Sequence, residues 1–332
     1  MLLTHAEIEK LGAIHHAVSP SVLSLYLTVP ARPAELSALL SHASELIAAA
    51  ERAVGDHAHV AREDLSAVCH KLMTYGADWR GRSVAVFTCV DIGLFQALPL
   101  PCALPERAVL GIRPHIRPLL LALQRCPTYR VAVVEGRDVR LHSFAGGVVE
   151  TLYTSAEWLL GHGEREPMVI AGRENDIGDV LTGLLPAARD FVAGSFVADP
   201  RALTAAQARD LAEPRVARWA GQRASRLADE ILTAPAGVRI VTGLPDCLAA
   251  VNASEVETLV VPCDGLVSGY ECGRCGALSV DADSCPDWGT APLAVPDIIE
   301  EMTTRTLEDG GQVYVLGDMP AGIAARLHVR LP

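Results

Sequence analysis

An α/β protein of three domains is predicted for this chain, and three observations predict it. Its 332 residues exceed what one ordinary core organises, since domains run to about 100–150 residues. Short β-branched runs alternate with apolar-periodic helical stretches along most of the chain, the pattern of sheets covered by helices. A cysteine-rich insert then interrupts the last strand–helix alternation, between Cys263 and Gly289.

The elements follow in order. Ser21 to Val29 (SVLSLYLTV) alternates and is β-branched, so it reads as a strand, and a long apolar-periodic helix runs from Pro33 to about Val54. A polar turn at Gly55–His59 leads to a second helix, Arg62 to Tyr75; Ser83–Thr88 and Leu94–Leu98 form a strand pair, and His115–Arg125 a short helix. Cys126-Pro127 is a break. Tyr129–Glu135, Val139–Phe144 and Val148–Tyr153 are joined by glycine turns at Gly136 and at Gly146-Gly147, which makes a three-stranded meander. Met168–Gly172 reads as a buried strand. Thr204-Ala-Ala-Gln207 is a capping box that opens a helix, with Pro214 starting its continuation at a tolerated first-turn position and the end near Leu232. From about Gly237 the order is strand, helix (Pro245–Asn252), strand (Thr258–Val261), cysteine insert, helix (Pro296–Glu308), strand (Val313–Leu316) and strand (Ile323–Val329). Domain limits are expected at 1–126, 127–235 and 236–332.

Half the residues are hydrophobic, yet no apolar run approaches a membrane span, and the N-terminus lacks a basic stretch followed by an apolar block. A cytoplasmic protein without membrane contact is expected. Cys69, Cys89, Cys102, Cys126 and Cys247 are scattered singly in apolar surroundings, as reduced buried thiols are. The net charge of −12 argues against a general nucleic-acid binder, but the charge is uneven. Lys+Arg against Asp+Glu is 11 to 11 over residues 1–125, 12 to 15 over 126–235 and 5 to 14 over 236–332. The neutral first third suits an approach to RNA, and the acidic last third suits protein or solvent.

Cys272-Gly-Arg-Cys275-Gly276 is a Cys-x-x-Cys knuckle, and Cys285-Pro-Asp-Trp288-Gly289 is the first half of a second, with a tryptophan where the fourth sulfur belongs. Tetrahedral zinc takes four thiolate or imidazole ligands. Cys263 or Asp287 completes a zinc site with Cys272, Cys275 and Cys285, or the knuckle is metal-free and Trp288 packs where metal and ligand used to be. The second alternative is favoured, because losing one ligand removes most of a structural site's affinity. No cofactor is therefore required, with zinc the one candidate.

In their order, SVLSLYLTV, RSVAVFTCVDIGLFQALPLP, YRVAVVEGRDVRLHSF, VTGLPDCLAAVNASEVETLVVP and the knuckle resemble the bacterial branch of the archaeo-eukaryotic class 1 release factor family, related to Pelota and to Balon-type ribosome hibernation factors. The resemblance covers nearly the whole chain. It implies a decoding-like N-terminal α/β domain, an RNase H-like central domain, and a C-terminal α/β/α sandwich similar to kink-turn-binding ribosomal proteins with a zinc-ribbon-like insert.

The departures from that family bear on function. Its release factors hydrolyse peptidyl-tRNA with a Gly-Gly-Gln loop in the central domain, where this chain has only TSAEWLLGHGEREP between Tyr153 and Met168. Gly310-Gly311-Gln312 lies instead in the last domain, between a helix and a strand, and reads as a helix stop. Ala220-Gly221-Gln222 sits inside a helical pattern. The Asn-Ile-Lys-Ser loop that reads stop codons is also missing from Val54–Arg62. No catalytic residue is assigned, and no phosphate loop, dinucleotide loop or nucleophile elbow is found.

Arg52, His57, His59 and Arg62 around the first inter-helix turn, and Gly161, His162, Gly163 and Arg165 at the central-domain tip, are the candidate RNA contacts. A solvated polar turn is the alternative for the histidines. The expectation is a non-hydrolytic factor at the aminoacyl-tRNA site of the bacterial 70S ribosome, facing the decoding and peptidyl transferase centres, in hibernation or stress protection. EF-Tu or another translational GTPase is the expected protein partner. A rescue-type peptidyl-tRNA hydrolase and an off-ribosome adaptor stand as alternatives.

Overall fold

The computed structural model describes residues 3–16, 21–54, 60, 62–75, 79–145, 148–161, 166–232, 239–283, 285, 288–316 and 322–328. The chain is mixed α/β and divides into two compact units: residues 3–122 with 228–332, and residues 123–227. The segments expected at 1–126 and 236–332 thus share one unit.

The first segment holds α1 (His5–Gly12), β1 (Val22–Thr28), α2 (Leu36–Val54), α3 (Arg62–Tyr75), β2 (Ser83–Cys89), β3 (Leu94–Pro99), β4 (Arg107–Gly111) and α4 (Arg117–Arg125). Its sheet has the order β3-β2-β1-β4, antiparallel throughout. Alternation puts Leu23, Leu25 and Leu27 on one face of β1, against Leu39, Ala43, Ile47 and Ala50, a stripe on α2 with helical spacing. Truncating a core leucine such as Leu25, with no exposed surface, costs about 2–5 kcal/mol. Ser24 and Tyr26 point the other way and are buried too. Ser24 Oγ accepts from the His115 amide at 2.8 Å, and the Tyr26 hydroxyl donates to the His115 carbonyl at 2.5 Å. β4 is absent from the strands expected from sequence.

The second unit holds β5 (Tyr129–Glu135), β6 (Asp138–Ala145), β7 (Val148–Ser155), α5 (Ala156–Gly161), β8 (Met168–Gly172), α6 (Glu174–Gly183), α7 (Pro186–Arg189), β9 (Val192–Val197) and most of α8 (Ala205–Leu232). The sheet order is β7-β6-β5-β8-β9, with the meander antiparallel and β5, β8 and β9 parallel. Ala208, Ala212 and Val216 of α8 cover one face, on Val131, Val133, Val169 and Phe196. Leu159, Ile177 and Val180 cover the other. Thr204 and Gln207 cap α8 reciprocally, the Thr204 amide donating to Gln207 Oε1 at 3.0 Å. Pro214, expected at a first-turn position of the helix's continuation, stands in the interior of one continuous helix. The helix tolerates the missing amide because its buried alanines and Val216 hold it to the sheet on both sides of the proline.

The last segment holds β10 (Ile240–Thr242), α9 (Leu244–Asn252), β11 (Val256–Pro262), β12 (Gly269–Glu271), β13 (Leu278–Ser279), β14 (Leu293–Val295), α10 (Ile298–Glu308), β15 (Gln312–Leu316) and β16 (Ala324–Leu327). One sheet runs β10-β16-β11-β15, and the insert makes a small sheet of its own, β13-β12-β14. Asp297 caps α10, its carboxylate accepting from the Ile299 amide. That helix is buried nearly all round, Glu300 and Glu301 included.

Candidate functional site

The insert brings three sulfurs together. β12 delivers Cys272, the tight turn ends at Gly276 (φ +71°), and Cys275 and Cys285 face each other with Sγ atoms 3.6 Å apart. Glycine is favoured at position 276 because its conformation there is left-handed. Cys272, Cys275 and Cys285 form one group with ligand atoms within 4.8 Å of one another. Thr290 Oγ1 is 3.3 Å from Cys272 Sγ. This hydrogen bond, with the amides of Cys275 and Arg274, pulls the Cys272 thiol down to about 6. The Ala277 amide pulls Cys275 the same way, but burial and the neighbouring sulfurs outweigh it and raise the thiol above its ordinary value. Cys263, at the end of the main strand β11, is not in the group; Arg107 Nη1 donates to its carbonyl at 3.1 Å. Asp287 lies outside the described residues.

Trp288 does not fill a vacated metal position, contrary to the expectation for a metal-free knuckle. Its side chain is 48% exposed and lies under the Arg274 guanidinium, 3.8 Å from the ring centroid. Three convergent thiols with amides aimed at them offer a zinc ion three of the four ligands of a structural site, which would cross-link the two knuckles.

A second cluster, His115, Asp297 and Glu300, has metal-like spacing, but a cation already occupies it. Arg117, with no exposed surface, bonds to Asp297 Oδ2 through Nη2 and to Glu300 Oε2 through Nε at 3.1 Å. Two more of its hydrogens go to the carbonyls of Pro262 (2.7 Å) and Gly265 (3.1 Å). Glu300 also accepts from the Ile116 amide at 2.5 Å, so the positive end of α4 is capped by a carboxylate 184 residues later in the chain. Burial alone would raise Asp297; the hydrogen bond from His115 and the charge of Arg117 reverse this and lower it. Beside them Arg113 Nε meets Glu301 Oε2 at 2.5 Å and Arg113 Nη2 meets Glu271 at 3.7 Å. Burial, helped by Glu271, Glu300 and Asp297 and opposed by Arg113, pushes Glu301 up to about 8. These buried ions lock the first and last segments into one body. Sequence reasoning missed them, because each charge alone looks like surface.

Gln312 is exposed and opens β15. The glycines before it end α10: the Gly310 amide donates to Leu307 at 3.0 Å with φ +81°, and the Gly311 amide to Thr306 at 2.8 Å. Gly221 and Gln222 are exposed inside α8. Arg52 is exposed in the last turn of α2, Arg62 begins α3, and Gly161 ends α5. His57, His59, His162, Gly163 and Arg165 lie outside the described residues. A groove of about 440 Å³ on the second unit is lined by Asp199, Leu203, Gln207 and Asp210, a set without a nucleophile beside a base.

No family model matches the chain, and no curated protein matches it. Among solved structures it is similar to S. cerevisiae Dom34, described as a translation termination-like factor (10% identity over 76% of this chain and 80% of that one, TM-score 0.43). It is also similar to Archaeoglobus fulgidus Pelota (16%, 75% and 80%, TM-score 0.35) and to an archaeal translation termination factor, aRF1 (15%, 98% and 96%, TM-score 0.22).

Proposed function

We propose that this protein is a non-hydrolytic ribosome-associated factor that occupies the aminoacyl-tRNA site of the bacterial ribosome and protects it under stress or hibernation. The sequence-wide order of segments resembling the class 1 release factor family supports ribosome binding. The mixed five-stranded sheet with helices on both faces supports the RNase H-like reading of the central unit.

The observation that carries the non-hydrolytic part is the placement of Gln312. A hydrolytic glutamine has to be held on a loop that reaches a peptidyl ester, whereas this one enters a strand directly behind a helix stop. A factor that keeps the shape but lacks both the stop-codon loop and the hydrolytic glutamine retains blocking as its activity. Arg52, His57, His59 and Arg62, and the tip at Gly161, His162, Gly163 and Arg165, are the proposed contacts to ribosomal RNA. The acidic last segment is proposed to face protein, such as EF-Tu or another translational GTPase. Zinc at Cys272, Cys275 and Cys285 would brace that segment and take no part in chemistry.

Two assays test this together. The protein is expected to pellet with vacant 70S ribosomes and to release no peptide from ribosomes loaded with peptidyl-tRNA. Release of peptide, or failure to pellet with or without EF-Tu, contradicts it.

A further inference from the structure

We infer that the second half of α8 is an RNA-binding face, made for phosphates by arginines that aromatic rings and backbone carbonyls hold in place of carboxylates. Between Glu213 and Asp229 the helix carries Arg215, Arg218, Arg223 and Arg226 and no acidic residue, in a chain whose net charge is −12. At 100° per residue these four and Trp219 fall within an arc of about 140°, and the span from Arg215 to Arg226 rises about 16 Å.

The way the side chains are held is what separates this stripe from an ordinary solvated face. Arg223 lies over two rings, 5.1 Å from the centroid of Phe191 and 5.4 Å from that of Trp219. The two rings are 6.2 Å apart, and Trp219 is pinned by its indole N–H donating to the Asp190 carbonyl at 3.1 Å. Arg215 lies 5.2 Å from the Phe196 centroid and donates to the carbonyls of Ser195 (3.1 Å) and Leu211 (2.6 Å). A guanidinium on a ring or on carbonyls is oriented without being neutralised, so its full charge stays available, and at Arg223 its N–H edge as well. By contrast, Arg209, nearly two turns before the stripe, is paired with Asp210 at 3.0 Å. Arg218, Arg223 and Arg226 are exposed, and Arg215 and Trp219 half-buried.

Nucleic acid suits this chemistry better than an acidic peptide or an anionic membrane. Planar forks match phosphate oxygens in pairs, the geometry that a nucleic-acid backbone offers. The stripe also lacks the apolar side that a membrane-surface helix needs, because Ala208, Ala212 and Val216 are spent on the sheet. The inference concerns the second unit alone and does not rest on the ribosome reading.

Anisotropy of a fluorescein-labelled single-stranded oligoribonucleotide, titrated with the full chain at low and moderate salt, tests it. Binding that weakens with salt is expected. Arg218→Glu/Arg223→Glu/Arg226→Glu should weaken it by about tenfold or more and flatten the log–log salt slope by about 2. Arg218→Gln/Arg226→Gln, which leaves the Arg223 platform intact, should flatten the slope with an unchanged melting curve, so that a folding defect cannot imitate the result. Arg32→Glu, at an exposed arginine of the other unit, should leave most of the oligonucleotide affinity in place. Absence of binding at low salt, equal affinity in the charge-reversed and the wild-type protein, or equal competition by polyglutamate or by phosphatidylserine vesicles would each overturn the inference.

Discussion

Arg117 Nε donates to Glu300 Oε2 at 3.1 Å between two side chains that are both withdrawn from solvent. One lies at the start of α4 and the other on α10, so the pair, with Asp297, joins the beginning of the chain to its end. Removing one partner of a buried pair leaves the other charge without compensation, which costs about 3–5 kcal/mol. Arg117→Met should therefore lower the stability of the unit formed by residues 3–122 and 228–332 by that amount in denaturant titrations. The unit of residues 123–227 should keep its own transition. A loss below about 1 kcal/mol would show that the pair is not what joins the two segments.

The two perturbed carboxyls of this network predict opposite pH dependences. Glu301 holds its proton up to about 8 in the folded protein against an ordinary value of 4.5, so between those values the folded state binds more protons than the unfolded state. Stability then falls as pH rises through this window, by up to about 1.4 kcal/mol per unit. Asp297 is lowered, so its contribution is present above its unfolded value and lost as pH falls through the folded one. Thermal melts across pH should show a maximum on the mildly acidic side. Glu301→Gln should flatten the alkaline limb and leave the acid limb; an unchanged alkaline limb would contradict the assignment.

Zinc should bind the insert in about one equivalent per chain, through Cys272, Cys275 and Cys285. Metal analysis of protein prepared without chelator checks the stoichiometry, and Cys272→Ser should abolish it. Cys263→Ser should leave it unchanged, since that residue is not in the group. Well under one zinc per chain would mean that the three thiols stand without metal.

The Gly-Gly-Gln sequence separates structural from catalytic roles at neighbouring positions. A Cβ at Gly311 would lie 2.8 Å from both the Val256 carbonyl oxygen and Thr306 Cγ2, so Gly311→Ala should destabilise by about 1–3 kcal/mol. Gln312→Ala should change neither the melting temperature nor ribosome binding, because its side chain is exposed at a strand entry. Peptide release lost specifically with Gln312→Ala would overturn this.

Elements with a strong local period were legible: the α2 stripe, the meander and the capping box need no distant partner to be seen. β4 was not, because the short run Arg107–Gly111 becomes a strand only by pairing with β1. The burial of α10 was hidden for a related reason. Glu300 and Glu301 look like a wetted face until Arg113 and Arg117, far away in sequence, are placed against them. At the insert, spacing singled out the three cysteines whose sulfurs the fold brings together. It did not reveal that Arg274 would draw Trp288 outward over the surface, since a cation–ring contact follows from the fold of the turn and not from the Cys-x-x-Cys pattern.

Chemical footprinting of ribosomal RNA in vacant 70S ribosomes, with and without the protein, tests the central claim most directly. Occupancy of the aminoacyl-tRNA site predicts protection at both the decoding centre and the peptidyl transferase centre, weakening together as salt rises and displaced by aminoacyl-tRNA. Protection at neither centre, or at sites that aminoacyl-tRNA does not compete for, would contradict it.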